Sequence, residues 1–195
     1  ADKTLLGGQI IWAHDFEESG RFTLGASYYD YMNVQGTAPI LPNTFFGNTS
    51  ESVSGTNVFK YDYDMVSAFG EYAFKAGDLP VSVFGDYVMN VASGVQDDTG
   101  WMLGFGLSKA KKIGDWGFVY NYRDIGKDCV FGAFTDSDFI GGGTDGCGHQ
   151  FAGAYMIARN TWLGATYFLA NQRNSNTDKL DDDYQRLQLD VKVKF

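Results

Sequence analysis

The sequence predicts an all-β protein whose strands form a transmembrane antiparallel up-and-down β-barrel. Over residues 187–195 the odd positions are apolar and the even positions are polar or charged, and alternate side chains of a strand point to opposite faces. This alternation recurs along the chain in segments of about ten residues, the length of a membrane-crossing strand. The chain also ends at an aromatic residue, Phe195, as membrane barrels commonly do. A soluble β-sandwich shows the same local alternation, but its repetition and the aromatic end favour the barrel.

The composition agrees with twisted strands rather than with helices or disorder. The 195 residues include 25 glycines and 3 prolines, and 16% are aromatic, as in barrels with aromatic girdles. Mean hydropathy is negative, and no run of about 18 apolar residues predicts a transmembrane helix. The net charge of −9 argues against nucleic acid as a partner, because nucleic acid binds basic surfaces.

Nine strands are expected, each with one apolar parity. In the first four, the lipid-facing residues are Leu6, Gly8, Ile10 and Trp12; Phe22, Leu24, Ala26 and Tyr28; Val66, Ala68, Gly70, Tyr72 and Phe74; and Val81, Val83, Tyr87, Met89 and Val91. In the next four they are Trp101, Leu103, Phe105 and Leu107; Trp116, Phe118, Tyr120 and Tyr122; Phe151, Gly153, Tyr155 and Ile157; and Leu163, Ala165, Tyr167 and Leu169. The ninth strand is 187–195.

The connections between these strands predict the orientation. Short turns at 17–20, 77–80, 111–114 and 159–160 alternate with longer polar stretches at 34–57, 93–99, 125–148 and 172–183. Outer-membrane barrels have short periplasmic turns and longer extracellular loops, so Phe195 is expected at the periplasmic rim. Nine is an odd number, whereas bacterial single-chain barrels have an even number. Either 34–57 hides a strand, or residues 1–195 are the C-terminal portion of a longer barrel domain; the absence of alternation in 34–57 favours the second.

The opposite parity of the strands supplies candidate lumen-lining residues. The polar and charged members are Glu71, Asp86, Asn90, Asn121, Arg123, Asp190 and Lys192. Bulky Phe69, Phe84, Val88 and Trp162 share this parity. A barrel of only eight to ten strands is filled by its side chains, so this mixture leaves both an open pore and a plugged barrel as alternatives.

Three stretches resemble a family of porins from Gram-negative bacteria. They are Leu79-Pro80-Val81-Ser82-Val83-Phe84-Gly85-Asp86-Tyr87; the segment from Asp97-Asp98-Thr99-Gly100-Trp101 to Asn121-Tyr122-Arg123-Asp124; and Gly132-Ala133-Phe134-Thr135-Asp136-Ser137-Asp138-Phe139 with Gly141-Gly142-Gly143-Thr144-Asp145-Gly146. The resemblance covers most of 62–195. It implies a β-barrel channel of the outer membrane and carries no catalytic residues, and members of the family are usually longer than this chain.

Cys129 and Cys147 bracket the longest Gly/Asp-rich loop and depart from the usual sequence of that loop in the family. Two thiols in a protein outside the cytoplasm favour a disulfide over a metal site, because zinc needs about four ligands at motif spacing. Closing a loop of this length would stabilise the fold by about 3 kcal/mol in the chain-entropy model. Two free cysteines are the alternative.

Acidic residues concentrate in the loops. Asp136, Asp138 and Asp145 are candidate ligands for Ca²⁺ or Mg²⁺ that could bridge anionic lipid head groups, and further aspartates occur at 97–98 and 181–183. The alternative is that these are ordinary solvated loop charges. No other cofactor and no metal centre are expected.

An enzyme is the rival class of function. It would need a nucleophile or activated water with a histidine base, and only His14, at a short turn, and His149, near Asp138 and Asp145, are available. No oriented serine or paired carboxylate accompanies either histidine, so a hydrolase is the least favoured function.

The sequence therefore predicts a porin-like channel for small hydrophilic solutes or ions, with a weak preference for cations. A small plugged barrel that serves as an anchor or adhesin is the alternative. The expected location is the bacterial outer membrane, with lipid and lipopolysaccharide as neighbours. The barrel-assembly machinery is expected to bind the C-terminal Phe195, and assembly into a homo-oligomer stays open.

Overall fold

The computed structural model describes residues 2–17, 19–41, 44–173 and 180–195, without the side chains of 180–182. Apart from one 3₁₀ turn at Gly132–Phe134, the regular structure in these residues is entirely β. The strands are β1 (Thr4–Phe16), β2 (Gly20–Met32), β3 (Ser50–Val53), β4 (Thr56–Phe59), β5 (Asp64–Ala76), β6 (Leu79–Asn90), β7 (Thr99–Ser108), β8 (Trp116–Ile125), β9 (Gly146–Ala158), β10 (Thr161–Arg173) and β11 (Leu180–Val193).

Nine of these strands form one sheet in the order β1-β2-β5-β6-β7-β8-β9-β10-β11. Every neighbouring pair is antiparallel. The nine strands predicted from the alternation are therefore confirmed, and most extend beyond the predicted bounds at both ends. In the part of the chain that the structure describes, β1 and β11 are the two edges of the sheet, which is not closed.

The register aligns the apolar parity of all nine strands on one face. One cross-strand row on this face consists of Trp12, Leu24, Gly70, Gly85, Leu103, Tyr122, His149, Leu169 and Gln185. We call the face that carries Leu103 the outer face and the opposite one the inner face. Leu103 is 56% exposed, and large apolar side chains of the outer face are exposed on each of the nine strands. A slip of one residue in any pairing would move that strand's apolar set to the inner face.

Aromatic rings cover the outer face near the ends of the strands that are joined by short turns. Centroid distances of 4.6–6.4 Å link Trp12, His14, Phe16, Phe22, Tyr72 and Phe74 across β1, β2 and β5. His14, expected at a short turn, lies in the last part of β1, which extends to Phe16, and its ring stacks on Trp12. Among the described residues, no helix is long and apolar enough to cross a membrane.

The connections differ between the two ends of the sheet. At one end they are 17–19, 77–78, 109–115 and 159–160, and at the other 33–63, 91–98 and 126–145. The predicted loop at 172–183 lies partly outside the described residues; β10 extends to Arg173 and β11 already begins at Leu180. The long segment 33–63 is not simply a loop, since it contains the β3–β4 hairpin. That hairpin stays outside the main sheet, so the odd count of nine strands stands.

Candidate functional site

The inner face gathers the polar and charged residues of the strands. One row that crosses it consists of Thr23, Glu71, Phe84, Gly104, Asn121, Gln150, Phe168 and Arg186. Asp86 and Arg123 lie one row nearer the long loops, on either side of Met102. Asp190 and Lys192 lie near the short turns, opposite Gly164 and Trp162. All seven residues predicted to line the lumen therefore belong to the same face of the sheet.

Exposure divides these seven residues into two groups. Glu71, Asp86, Asp190 and Lys192 are exposed, as expected for side chains that border an open space. Asn90 and Asn121 are 1% and 5% exposed, and the Arg123 side chain is 13% exposed. The side chains of Asn90 and Asn121 are thus buried, with Asn121 hydrogen-bonded to Gln150 and Arg123, and their place in the lining of an open lumen stays a prediction.

Segment 126–145 folds over the inner face instead of extending away from the strands. The Arg123 guanidinium donates to Asp136 Oδ2 at 3.0 Å and lies 4.6 Å above the centre of the Phe139 ring. The Arg186 guanidinium lies 2.9 Å from Asp138 Oδ1. Phe139 and Ile140 pack with Phe168 and Ala170 of β10 in a buried cluster. Two ion pairs and an apolar contact thus hold the tip of this segment on β8, β10 and β11.

A second buried cluster joins the two long loops to each other. Val34 and Phe59 from segment 33–63 pack with Tyr63 and with Phe131 from segment 126–145. The ring centroids of Phe59, Tyr63 and Phe131 are 5.2–6.2 Å apart. Tyr31, an inner-face residue of β2, packs against Phe131 with a centroid distance of 5.0 Å. The loops therefore have an apolar core of their own, which is attached to the inner edge of the sheet.

Buried polar side chains fix the geometry of this loop core. The Asp128 carboxylate, 1% exposed, accepts hydrogen bonds from the Thr49 amide at 2.9 Å, the Thr49 hydroxyl and the Tyr63 hydroxyl at 2.8 Å. Burial, followed by the charge of Asp128, raises the pKa of Tyr63, so that hydroxyl remains a donor. Asn48 donates to the carbonyls of Lys127 and Val130 and accepts from the Gly132 amide. A buried carboxylate with three donors costs far less free energy than an unpaired one.

Asn90 connects this loop core to the sheet. Its amide nitrogen donates to the carbonyls of Asp62 and Asp128 at 2.9 Å, and its amide oxygen accepts from the backbone amides of Asp64 and Ala92. The side chain thus satisfies four backbone groups at the point where three loop segments meet the end of β6. Its role in the structure is to hold these segments together.

The predicted disulfide is absent, since Cys129 and Cys147 are both buried free thiols. Cys129 Sγ lies over the inner face, 2.9 Å from where a Cβ on Gly100 would stand and near Val88. Cys147 belongs to the outer parity of β9, where it lies beside Tyr122 of β8. The sheet therefore separates the two sulfur atoms. Burial raises the pKa of the Cys129 thiol to about 12.

The three loop aspartates do not converge on one site. Asp136 and Asp138 are paired with arginines, as described above, and Asp136 Oδ1 also accepts from the Asp138 amide. Asp145 is buried at the start of β9, and this burial raises the pKa of its carboxyl while Lys127 opposes the rise. Within the described part of the chain, no group of three or more His, Cys, Asp and Glu side chains is arranged to hold a metal ion.

His149 is surrounded by aromatic residues on the outer face. Its Nδ1 lies 2.9 Å from the Tyr120 hydroxyl, and its ring is within 6.2 Å of the rings of Tyr120, Tyr122 and Phe151. No ion pair joins it to Asp138 or Asp145, among the residues that the structure describes.

Sequence reasoning missed the loop core and the buried contacts of Asn48 and Asp128 that fix its geometry. One available signal was the density of aromatic residues in 45–63, which contains Phe45, Phe46, Phe59, Tyr61 and Tyr63. A stretch so rich in aromatic residues can bury enough apolar surface to fold, although it has no strand-like period.

The comparisons with known proteins agree with this architecture. The family model described as "Putative porin" matches residues 58–195. This region includes β5 to β11 and the whole of segment 126–145. No curated protein and no solved structure matches the chain. The matched region covers more than half of the chain and contains the stretches that suggested a porin. The chain belongs to this porin family, and its antiparallel sheet is that of a transmembrane β-barrel.

Proposed function

We propose that the protein is a channel of the bacterial outer membrane for passive diffusion of small hydrophilic solutes or ions, with a weak preference for cations. The observation that carries this proposal is the alignment of exposed charged side chains on the inner face, opposite a continuous apolar face. Membership of a porin family favours a non-enzymatic role and an outer-membrane location. Inner-face charges then border the path of a solute, while the outer face contacts lipid and lipopolysaccharide.

The distribution of charge supports a preference for cations that is weak rather than strong. Arg123 and Arg186 are neutralised by Asp136 and Asp138. Glu71 and Asp86 remain exposed near the middle of their strands, without an ion-pair partner among the described residues. Exposed Lys75 and Lys192 lie near the short turns, where they oppose this negative charge. Rings of acidic residues favour cations in channels.

A larger barrel is part of the proposal. Eight antiparallel pairings separate β1 from β11, so these two edge strands run in the same direction and cannot close the sheet as an antiparallel pair. We infer that an odd number of further strands from the same polypeptide completes an even-numbered barrel. The short turns then face the periplasm and the long loops face outward, which leaves Phe195 at the periplasmic rim for the barrel-assembly machinery.

The test is the reversal potential of the full-length protein in a planar bilayer under a KCl gradient. We expect a modest cation preference in low salt that shrinks when Glu71→Gln removes one inner carboxylate. At 1 M salt the Debye length is about 3 Å, so the contribution of loop carboxylates should fade while that of inner carboxylates persists. A preference for anions would overturn the charge assignment.

The same measurement tests the plugged barrel as the second candidate. The packing of Phe139 and Ile140 on β10 favours that alternative, since it places part of a loop where an open channel would run. Steady conductance of the correctly folded protein contradicts a complete plug. Complete absence of conductance would favour an anchor or adhesin over a channel.

A further inference from the structure

A pocket of about 320 Å³ lies on the inner face beneath the start of segment 126–145. Two cross-strand rows form its floor: Asp86, Met102 and Arg123, and next to them Val88, Gly100 and Ile125. Met65 forms one wall, and Cys129 and Val130 cover the end nearest the loops. Its volume is within the range of about 300–1,000 Å³ that is usual for small-molecule sites.

The lining of the pocket is mostly apolar. Met65 is 6% exposed, and the Cys129 amide donates to the Gly126 carbonyl at 3.5 Å. A Cβ on Gly100 would stand 2.9 Å from Cys129 Sγ and 3.3 Å from Val88 Cγ1. Glycine at position 100 therefore lets the loop segment that contains Cys129 lie close to the strands of the pocket floor. Methionine side chains on the floor and the wall adapt readily to the shape of an apolar ligand.

One charge in the pocket is already neutralised. Arg123 donates to Asp136 Oδ2, to Asn121 Oδ1 and to Gln150 Oε1, and its guanidinium lies on the Phe139 ring. Its hydrogen-bonding groups and its charge are therefore occupied by the protein. An anionic solute would have to displace Asp136 to reach it.

The other charge, Asp86, is open to a ligand. It is exposed and forms no ion pair with a described residue. Its two bulky neighbours, Phe69 and Phe84, point away from it. The Phe69 ring lies 2.1 Å from where a Cβ on Gly25 would stand, and the Phe84 ring lies 2.6 Å from where a Cβ on Gly104 would stand. Two strand spacings, about 10 Å, separate the backbones of Asp86 and Arg123, and no ion pair joins their side chains in the described residues.

We propose that this pocket binds small organic cations with an apolar body, with the ammonium group on Asp86 and the body against Met65, Val88 and Met102. The proposal rests on the proposed function, because the ligand would reach the pocket through the channel. The lining includes the hydroxyls of Tyr29 and Ser67, but most of it is apolar, so a cation with an apolar body buries more area there than a hydrated metal ion does, and the free carboxylate disfavours anions. An amine with an aromatic or aliphatic body gains both a charge-assisted hydrogen bond and buried apolar area.

The test uses 2-phenylethylammonium added to the loop side of a planar bilayer that contains the full-length protein. We expect it to reduce the potassium current, and we expect Asp86→Asn to raise the half-blocking concentration about tenfold or more, equivalent to about 1.4 kcal/mol. Met102→Ala should also raise it. Glu51→Gln, which removes an exposed carboxylate of β3 outside the pocket and the inner face, should leave it within about twofold. Ammonium ion and neutral benzyl alcohol should not block at the same concentration.

Equal block by ammonium ion, or block that survives Asp86→Asn, would overturn the pocket proposal while leaving the channel intact. If the wild-type protein carries no current, the channel proposal fails and the pocket is tested by calorimetry on the folded full-length protein in detergent. Binding heat that Asp86→Asn removes and Glu51→Gln retains would support the pocket. Absence of binding heat in the wild type would reject it.

Discussion

Cys129 and Cys147 differ in their surroundings although eighteen positions separate them along one loop and strand. Cys129 lies among Val88, Gly100 and the loop backbone on the inner face, and Cys147 lies by Tyr122 on the outer face. Burial raises the pKa of Cys129 to about 12, so the thiol is largely protonated at pH 8, and the thiolate is the reactive form. Because the sheet lies between them, the two sulfur atoms cannot meet unless the sheet opens.

We therefore expect both thiols to be free in the folded protein and slow to alkylate. Iodoacetamide at pH 8 should label the folded protein poorly, whereas unfolding in urea without reductant should allow two alkyl groups per chain, counted by intact mass. A chain that takes no label in urea until a reductant is added would show that the disulfide exists. The sequence favours a disulfide because it has two cysteines in a protein expected outside the cytoplasm. These facts do not show which face of the sheet each thiol occupies, and the structure places the two on opposite faces.

Asn90 also shows that strand parity alone does not predict whether a side chain is exposed. Its parity on β6 is predicted correctly, but its side chain bonds to four backbone groups of the loops and the strand end. Parity reports the face of a strand and not what covers it. Glu71 and Asp86 lie farther from the loops and remain exposed, so for them parity and exposure agree.

At the scale of the strand, the outer face of β7 offers a direct test of the membrane assignment. Leu103 is 56% exposed near the middle of Thr99–Ser108. Leu103→Arg would place a charge near the bilayer midplane, at a cost of about 2–4 kcal/mol. We expect this variant to lose that amount of stability in urea titrations of the protein folded into lipid vesicles.

The adjacent Gly104 is not a suitable inner-face control, because its Cβ would stand 2.4 Å from the Tyr120 carbonyl oxygen. Thr23→Arg is the matched control, since Thr23 belongs to the same inner row and lies opposite Glu71 on β5. It should cost much less than Leu103→Arg. Equal stability of Leu103→Arg and the wild type would contradict the assignment of the faces.

Strands and loops differ in how far the sequence determines them. A strand of this sheet is specified locally, because its period of two is visible in ten residues. The loop core is specified by contacts between distant positions, such as Asn48 with Val130 and Thr49 with Asp128. No periodic pattern encodes such contacts, so neither the β3–β4 hairpin nor the inward fold of segment 126–145 could be anticipated.

At the scale of the whole molecule, the two edge strands determine what must complete the barrel. β1 has 13 residues and β11 has 14, and each has one side without a strand partner in the described residues. In hydrocarbon, every unpaired backbone amide or carbonyl costs several kcal/mol, so open sheet edges do not occur there. The parallel directions of β1 and β11 exclude antiparallel closure of these nine strands on themselves.

We therefore expect the mature protein extracted from outer membranes to have an intact mass well above the 21.5 kDa of this chain. The additional mass should correspond to an odd number of strands, because only an odd number restores antiparallel pairing at both edges. Mass spectrometry of the purified, folded protein provides the measurement, and a shift in gel mobility on heating provides the control that the barrel is intact. A folded, heat-modifiable protein of about 21.5 kDa would contradict this proposal, since β1 and β11 would then have to pair in parallel.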